Sequence, residues 1–174
     1  MRIGFITGIE KEAAILREKT SYSDIACAGA NSDNAYHQAI KLVKNNCDIL
    51  ISFGVAGALD PMLTPGDVIL PRSVTNESGT IFEVDLDLYQ TVTSHLSENF
   101  KVSSGTLYGS NTTISDTAEK QRLNQSLGTT AVDMESFGVA SMWNVSPTAK
   151  PSGLEDVAIR ATGIGSTVMV AFAL

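Results

Sequence analysis

Glu10 and Glu12 follow the first apolar run of the chain, Gly54-Val55-Ala56-Gly57 follows a later one, and Asp133 and Glu135 flank Met134 at the end of another. In an open parallel sheet, ligands bind beyond the carboxyl ends of the strands, and all three features would lie at such ends. Carboxylates accept hydrogen bonds from hydroxyl groups and can take a proton from water. With a turn of small residues between them, they point to a polar, hydroxyl-rich ligand. Each feature also has a plain structural reading. Glu10 and Glu12 are acids in a first helical turn, where the dipole favours them. Asp133 and Glu135 interrupt an apolar strand-to-helix junction, so a purely structural role accounts for them less well.

Other chemistries find no support. The small-residue turn lacks the Gly-Lys-Ser/Thr ending of a P-loop, and no G-x-G-x-x-G follows the first strand. No G-x-S-x-G elbow occurs. His37 and His95 both fall within helical patterns and read as helix-surface residues. Cys27 and Cys47 are twenty residues apart with no histidine pair nearby, which suits two reduced thiols rather than a disulfide or a zinc site. No metal and no cofactor are expected.

The elements that must position these residues are legible from periodicity. Residues 2–7 read as a buried strand ending at Gly8, and residues 10–19 as a helix with Ala13, Ala14 and Leu16 inside. Residues 25–28 form a second strand. Ser32 or Asp33 is placed to cap a helix to about Lys44, and residues 49–53 form a third strand running into the glycine turn. This β-α-β-α-β order implies a parallel sheet covered by helices. Further on, the spacing predicts strands over 68–70, 81–84, 102–107 and 131–134, and helices over 86–96, 116–127 and 135–142. Asp116 with Glu119 forms a capping pair, and Gly128 stops that helix. Residues 143–153 hold Pro147, Pro151 and Gly153 and read as a loop, with a strand over 157–161. The apolar tail after Thr167 then simply stops, where a doubly wound fold would cover its last strand with a helix.

At 174 residues the chain fits one domain, spanning 1–174, able to bury roughly two-thirds or more of its unfolded surface. Hydrophobic residues make up 43%, which excludes disorder. Nineteen acids against twelve bases give a net charge of −7, which argues against a nucleic-acid partner. No run approaches a membrane span and the start lacks a signal peptide's pattern, so the expectation is a cytoplasmic protein with no membrane partner.

The start, residues 2–12, resembles that of methylthioadenosine/adenosylhomocysteine nucleosidases. Residues 54–61 with Gly66-Asp67-Val68-Ile69 look like that family's glycine turn and following strand, and Ala131-Val132-Asp133-Met134-Glu135-Ser136 looks like its ribose motif. All three occur in family order, within the nucleoside phosphorylase/nucleosidase superfamily. The wording of 52–57 and 132–136 leans towards the hopanoid-associated nucleosidase branch, thought to act on adenosylhopane. The resemblance implies a three-layer α/β fold with a central mixed sheet flanked by helices and a shortened C-terminal end. It implies hydrolysis of the N-glycosidic bond of a purine nucleoside, an adenosine derivative. Glu12 matches the base that activates water, Met134 packs on the ribose, and Glu135 accepts hydrogen bonds from its hydroxyls. Asp133 stands in the same motif. Thr112 and Thr113 fall where the family contacts the purine, and Val55, Ala56 and Gly57 belong to the glycine turn. Val55 replaces the small hydroxyl residue usual there.

Phosphorolysis would need cations around a phosphate, and no Arg or Lys lies between Asn45 and Pro71, so hydrolysis is favoured. One departure bears on turnover. The family's last strand ends in Arg-x-x-Ser-Asp, whose Asp protonates the departing purine. Here Arg160-Ala161-Thr162-Gly163-Ile164 puts Ile164 in the acid's place. Losing a general acid forfeits about 10² to 10⁴ in rate. A truncated or frame-altered end would explain this, as would a non-catalytic nucleoside-binding descendant. The uncovered tail over 168–174 leads to the expectation of a homo-oligomer, a homodimer first.

Overall fold

A computed structural model describes residues 2–143 and the backbone of one further strand, Ser166–Ala173. The elements run β1 (Ile3–Thr7), α1 (Glu10–Lys19), β2 (Ile25–Cys27), α2 (Ser32–Lys44), β3 (Ile49–Ala58), β4 (Val68–Ile69), β5 (Ser73–Thr75), β6 (Ile81–Glu83), α3 (Leu86–Leu96), β7 (Val102–Ser103), β8 (Thr106–Gly109), α4 (Thr117–Leu127), β9 (Thr129–Asp133), α5 (Ser136–Trp143) and β10 (Ser166–Ala173). Local chemistry sets the helix ends. Asn31, not Ser32 or Asp33, caps α2, accepting the Asn34 N–H at 2.8 Å. Asp85 and Asp116 cap α3 and α4 in the same way. Gly128, at φ 65°, ends α4 in the left-handed conformation.

The strands form one mixed sheet. β1 pairs in parallel with β2 and β3, and β3 with β10. The far end of β3 turns to pair antiparallel with β9, which continues in parallel through β8 to β5. Helices cover both faces. Leu50 packs with Ala39, Val43, Val139 and Met142 of α2 and α5, while its neighbour Ile51 packs against the cluster of Leu70 with Tyr89 of α3. Ala131 faces Ala140 of α5, and Val132 faces Leu123 of α4. The alternation along β3 and β9 thus yields three layers, as the resemblance implied.

Three readings are corrected. Gly54-Val55-Ala56-Gly57 is not a turn but the second half of β3, extended and paired to β10 and then β9. Its glycines answer to crowding: a Cβ at Gly54 would meet the Glu12 carboxylate at 2.9 Å, and one at Gly57 would meet Val132 at 3.2 Å. The single strand over 102–107 is two, broken at Gly105, whose φ of 133° only glycine adopts readily. The C-terminal tail does not simply stop beyond the fold: it forms β10, inserted between β3 and β4 with its backbone paired on both sides. The short β5, which nothing in the apolar pattern marks, is held by backbone pairing to β6 and β8 and by a Ser73–Thr106 hydroxyl contact of 2.9 Å. Trp143 closes α5, while the remainder of the expected loop, the expected strand over 157–161 and Ile164 lie outside the described residues.

Candidate functional site

Glu12 sits at the third position of α1 and reaches back over the helix start. Its Oε2 accepts the N–H of Gly8 at 2.9 Å and of Ile9 at 3.0 Å, satisfying donors that the first turn would otherwise leave open. Its Oε1 accepts the N–H of Val55, in β3, at 2.9 Å. Three of a carboxylate's roughly four lone-pair directions are therefore occupied by backbone, and one on Oε1 remains. The side chain is buried, and its carboxylate is oriented from three directions.

Glu135 arrives from the β9–α5 junction, 123 positions further along the chain. Its carboxylate lies against Gly8, where a Cβ would come within 2.7 Å of Oε1. Gly8 thus stands between the two carboxylates: it donates its N–H to Glu12 and leaves room for Glu135. Asp133 faces the start of α5, accepting the Ser136 N–H at 3.2 Å and the Ser136 hydroxyl. The Ser136 hydroxyl also meets Ser52 on β3 at 3.1 Å, which ties the junction to the sheet.

These acids share one cavity of about 470 Å³, a volume usual for a small-molecule site. Glu12, Asp133, Met134 and Glu135 line it, as do Val55 and Gly57 from β3 and Thr112 and Thr113. Of the residues singled out in the sequence, Glu10, Gly54 and Ala56 do not line it: Glu10 is exposed beside Arg17, and Ala56 is turned away. Its side chain is in the core with Ile69, Val74 and Leu107, because successive side chains of β3 point to opposite faces. The cavity also takes in Ala30, Ile114, Ser115 and Lys120, which no motif had indicated. His37 and His95 are exposed on α2 and α3 and do not line it.

Gathering acids in a closed space changes their proton affinity. Burial raises Glu135 from 4.5 to about 8, aided by repulsion from Asp133 and Glu12, while the Met134 N–H works the other way. Burial likewise raises Asp133 from 3.8 to about 6, against hydrogen bonds from Ser136 and the Glu135 N–H and with added repulsion from Glu12. Glu135 is therefore biased towards its protonated form near neutral pH. The described residues contain no group of three His, Cys, Asp or Glu placed to hold a metal ion. Cys27 and Cys47 are free thiols, and burial pushes Cys47 up to about 11. No helix among the described residues is long and apolar enough to cross a membrane.

A family model described as the phosphorylase superfamily matches residues 25–142, a span that runs from β2 into α5 and includes the Asp133–Glu135 motif. The chain belongs to the phosphorylase superfamily. Solved structures agree on the fold. The 5′-methylthioadenosine/S-adenosylhomocysteine nucleosidase of Helicobacter pylori superposes with a TM-score of 0.79 at 14% identity, covering 99% of this chain and 84% of that one. The corresponding nucleosidase of Neisseria meningitidis, in complex with methylthio-immucillin-A, gives 0.79 at 16% identity, with the same two coverages. A futalosine hydrolase mutant of Helicobacter pylori gives 0.79 at 14%, covering 99% and 85%. A search of curated proteins returns no match. At these identities the superpositions speak for the three-layer fold, and the superfamily membership rests on the family model.

Proposed function

We propose that this superfamily member binds a purine nucleoside in the acid-lined cavity and hydrolyses its N-glycosidic bond. The observation that carries the reading is the meeting of Glu12 and Glu135, from opposite ends of the described chain, across Gly8 in one cavity. Glu135 holds the ribose hydroxyls and Met134 covers the sugar. The remaining lone pair of Glu12 Oε1 accepts a water. In the reaction that water forms a bond to C1′ and gives its proton to Glu12, while the C1′–N9 bond breaks and its electron pair leaves with the base. The sugar gains positive charge as the bond lengthens, and an acid-rich wall stabilises it. The same wall disfavours a bound phosphate. Lys120 is the one cation among the described lining residues, so water rather than phosphate is the acceptor this cavity suits.

The test is release of free base from methylthioadenosine, adenosylhomocysteine, adenosine and inosine. Turnover is expected from the wild type, with a loss of about 10² to 10⁴ in Glu12→Gln. A second reading, a nucleoside binder without turnover, is favoured by Ile164 at the place where the resemblance expects an acid. Binding without base release would select it. A protein that neither binds nor cleaves any of the four nucleosides would contradict both readings.

A further inference from the structure

The cavity lining includes a cationic side chain as well as acidic ones. Lys120 stands in the first turn of α4, half-buried, on the wall that also carries Ile114 and Ser115. Among the described residues its ammonium has no hydrogen bond or ion pair. The nearby acids are otherwise engaged. Asp116 caps the helix through the Glu119 N–H, and Glu119 holds the Arg122 guanidinium with two hydrogen bonds of 2.8 and 2.7 Å. A lysine in the first turn also opposes the helix dipole, so helix stability does not account for it. The charges that raise Asp133 and Glu135 are those of other carboxylates, which sets Lys120 apart from the acidic cluster. A ligand that satisfies both kinds of group must offer hydroxyl donors to the acids and acceptors to the ammonium.

We propose that Lys120 is a specificity-determining residue that selects 6-oxopurine nucleosides over 6-aminopurine ones. This rests on the reading above, in which the ribose lies at Glu135, with the base towards Thr112 and Thr113, where the resemblance puts the purine and which line the cavity with Lys120. An ammonium has three donors and no acceptor. A 6-oxopurine presents two acceptors on one edge, O6 and N7, whereas a 6-aminopurine presents N7 beside an amino donor that the ammonium opposes. Half-burial keeps water from fully replacing the missing acceptor, so the difference reaches affinity.

Calorimetric titration of inosine and adenosine, which share one ribose and differ only in the base, decides the matter. The wild type is expected to bind inosine about tenfold or more tightly, the usual range for a hydrogen bond to a charged group. Lys120→Met is expected to bring the ratio to within about threefold of unity, chiefly by weakening inosine, and Lys120→Arg to keep the preference. Glu135→Gln should weaken both nucleosides and leave their ratio unchanged. A ratio unaltered in Lys120→Met, or a wild type that prefers adenosine, overturns this inference and leaves the nucleoside reading standing. A wild type that binds neither overturns both.

Discussion

Replacing Glu135 by Gln should stabilise the protein at alkaline pH while removing its grip on the sugar. The reasoning runs through the proton that burial and neighbouring carboxylates hold on this side chain. A carboxyl whose folded value lies above its unfolded one keeps a proton that the unfolded chain has already released. Its contribution is fully present below the unfolded value of 4.5 and is lost as pH rises towards about 8. At about 1.4 kcal/mol for each tenfold change in proton affinity, that rise sets a ceiling of about 5 kcal/mol. Relaxation of the site and entry of water lower this ceiling, so a loss of about 2–4 kcal/mol between pH 5 and 9 is expected. Other shifted groups act outside this window. The lowered Asp24, Asp67 and Glu119 lose their stabilisation only as pH falls through the acid range, and Cys47 ionises towards 11. Urea unfolding of the wild type and Glu135→Gln at pH 5, 7 and 9 measures the effect. The variant should match the wild type at pH 5 and exceed it by about 2–4 kcal/mol at pH 9, or roughly 5–15 °C in melting temperature. Equal slopes for the two proteins across this range would refute the argument.

Gly8→Ala is expected to displace Glu135, because the new Cβ would lie 2.7 Å from its Oε1. Nucleoside affinity should fall by about threefold to tenfold for one lost hydrogen bond, measured by calorimetry, and unchanged affinity would place the sugar elsewhere. Leu123→Ala removes a fully buried side chain between α4 and the Tyr108–Val132 face of the sheet. Denaturant unfolding should show a loss of about 2–5 kcal/mol, and a change under 1 kcal/mol would mean that α4 is not held by this contact.

Much of the architecture is written locally. Asp116, Asp85 and Gly128 mark helix ends by rules that act within a few residues, and the bounds of α1 and α3 agree with their apolar spacing. What escaped depends on distant partners. Gly54 and Gly57 resemble a turn in the sequence, yet they stay extended because Glu12 and Val132 leave no room for side chains beside that strand. The tail has a strand's composition, but only its pairing with β3 and β4 shows that it lies inside the sheet. At the site, Asp133 and Glu135 stand out in the sequence because they interrupt an apolar junction, whereas Glu12 and Met134 are singled out through the family resemblance. Ala56 was misread with its neighbours because the run was treated as a turn, whereas alternation along a strand turns it into the core. Lys120 could not be found, since a lysine on an otherwise polar helix looks solvated until the fold brings that helix to the cavity wall.

The most direct test of the account is a crystal structure of the protein soaked with a purine nucleoside. The expected result places both ribose hydroxyls within hydrogen-bond reach of the Glu135 carboxyl, with C1′ facing a water held on Glu12 Oε1. A nucleoside bound with its sugar turned away from Glu135, or seated outside the cavity that the two acids share, would contradict it.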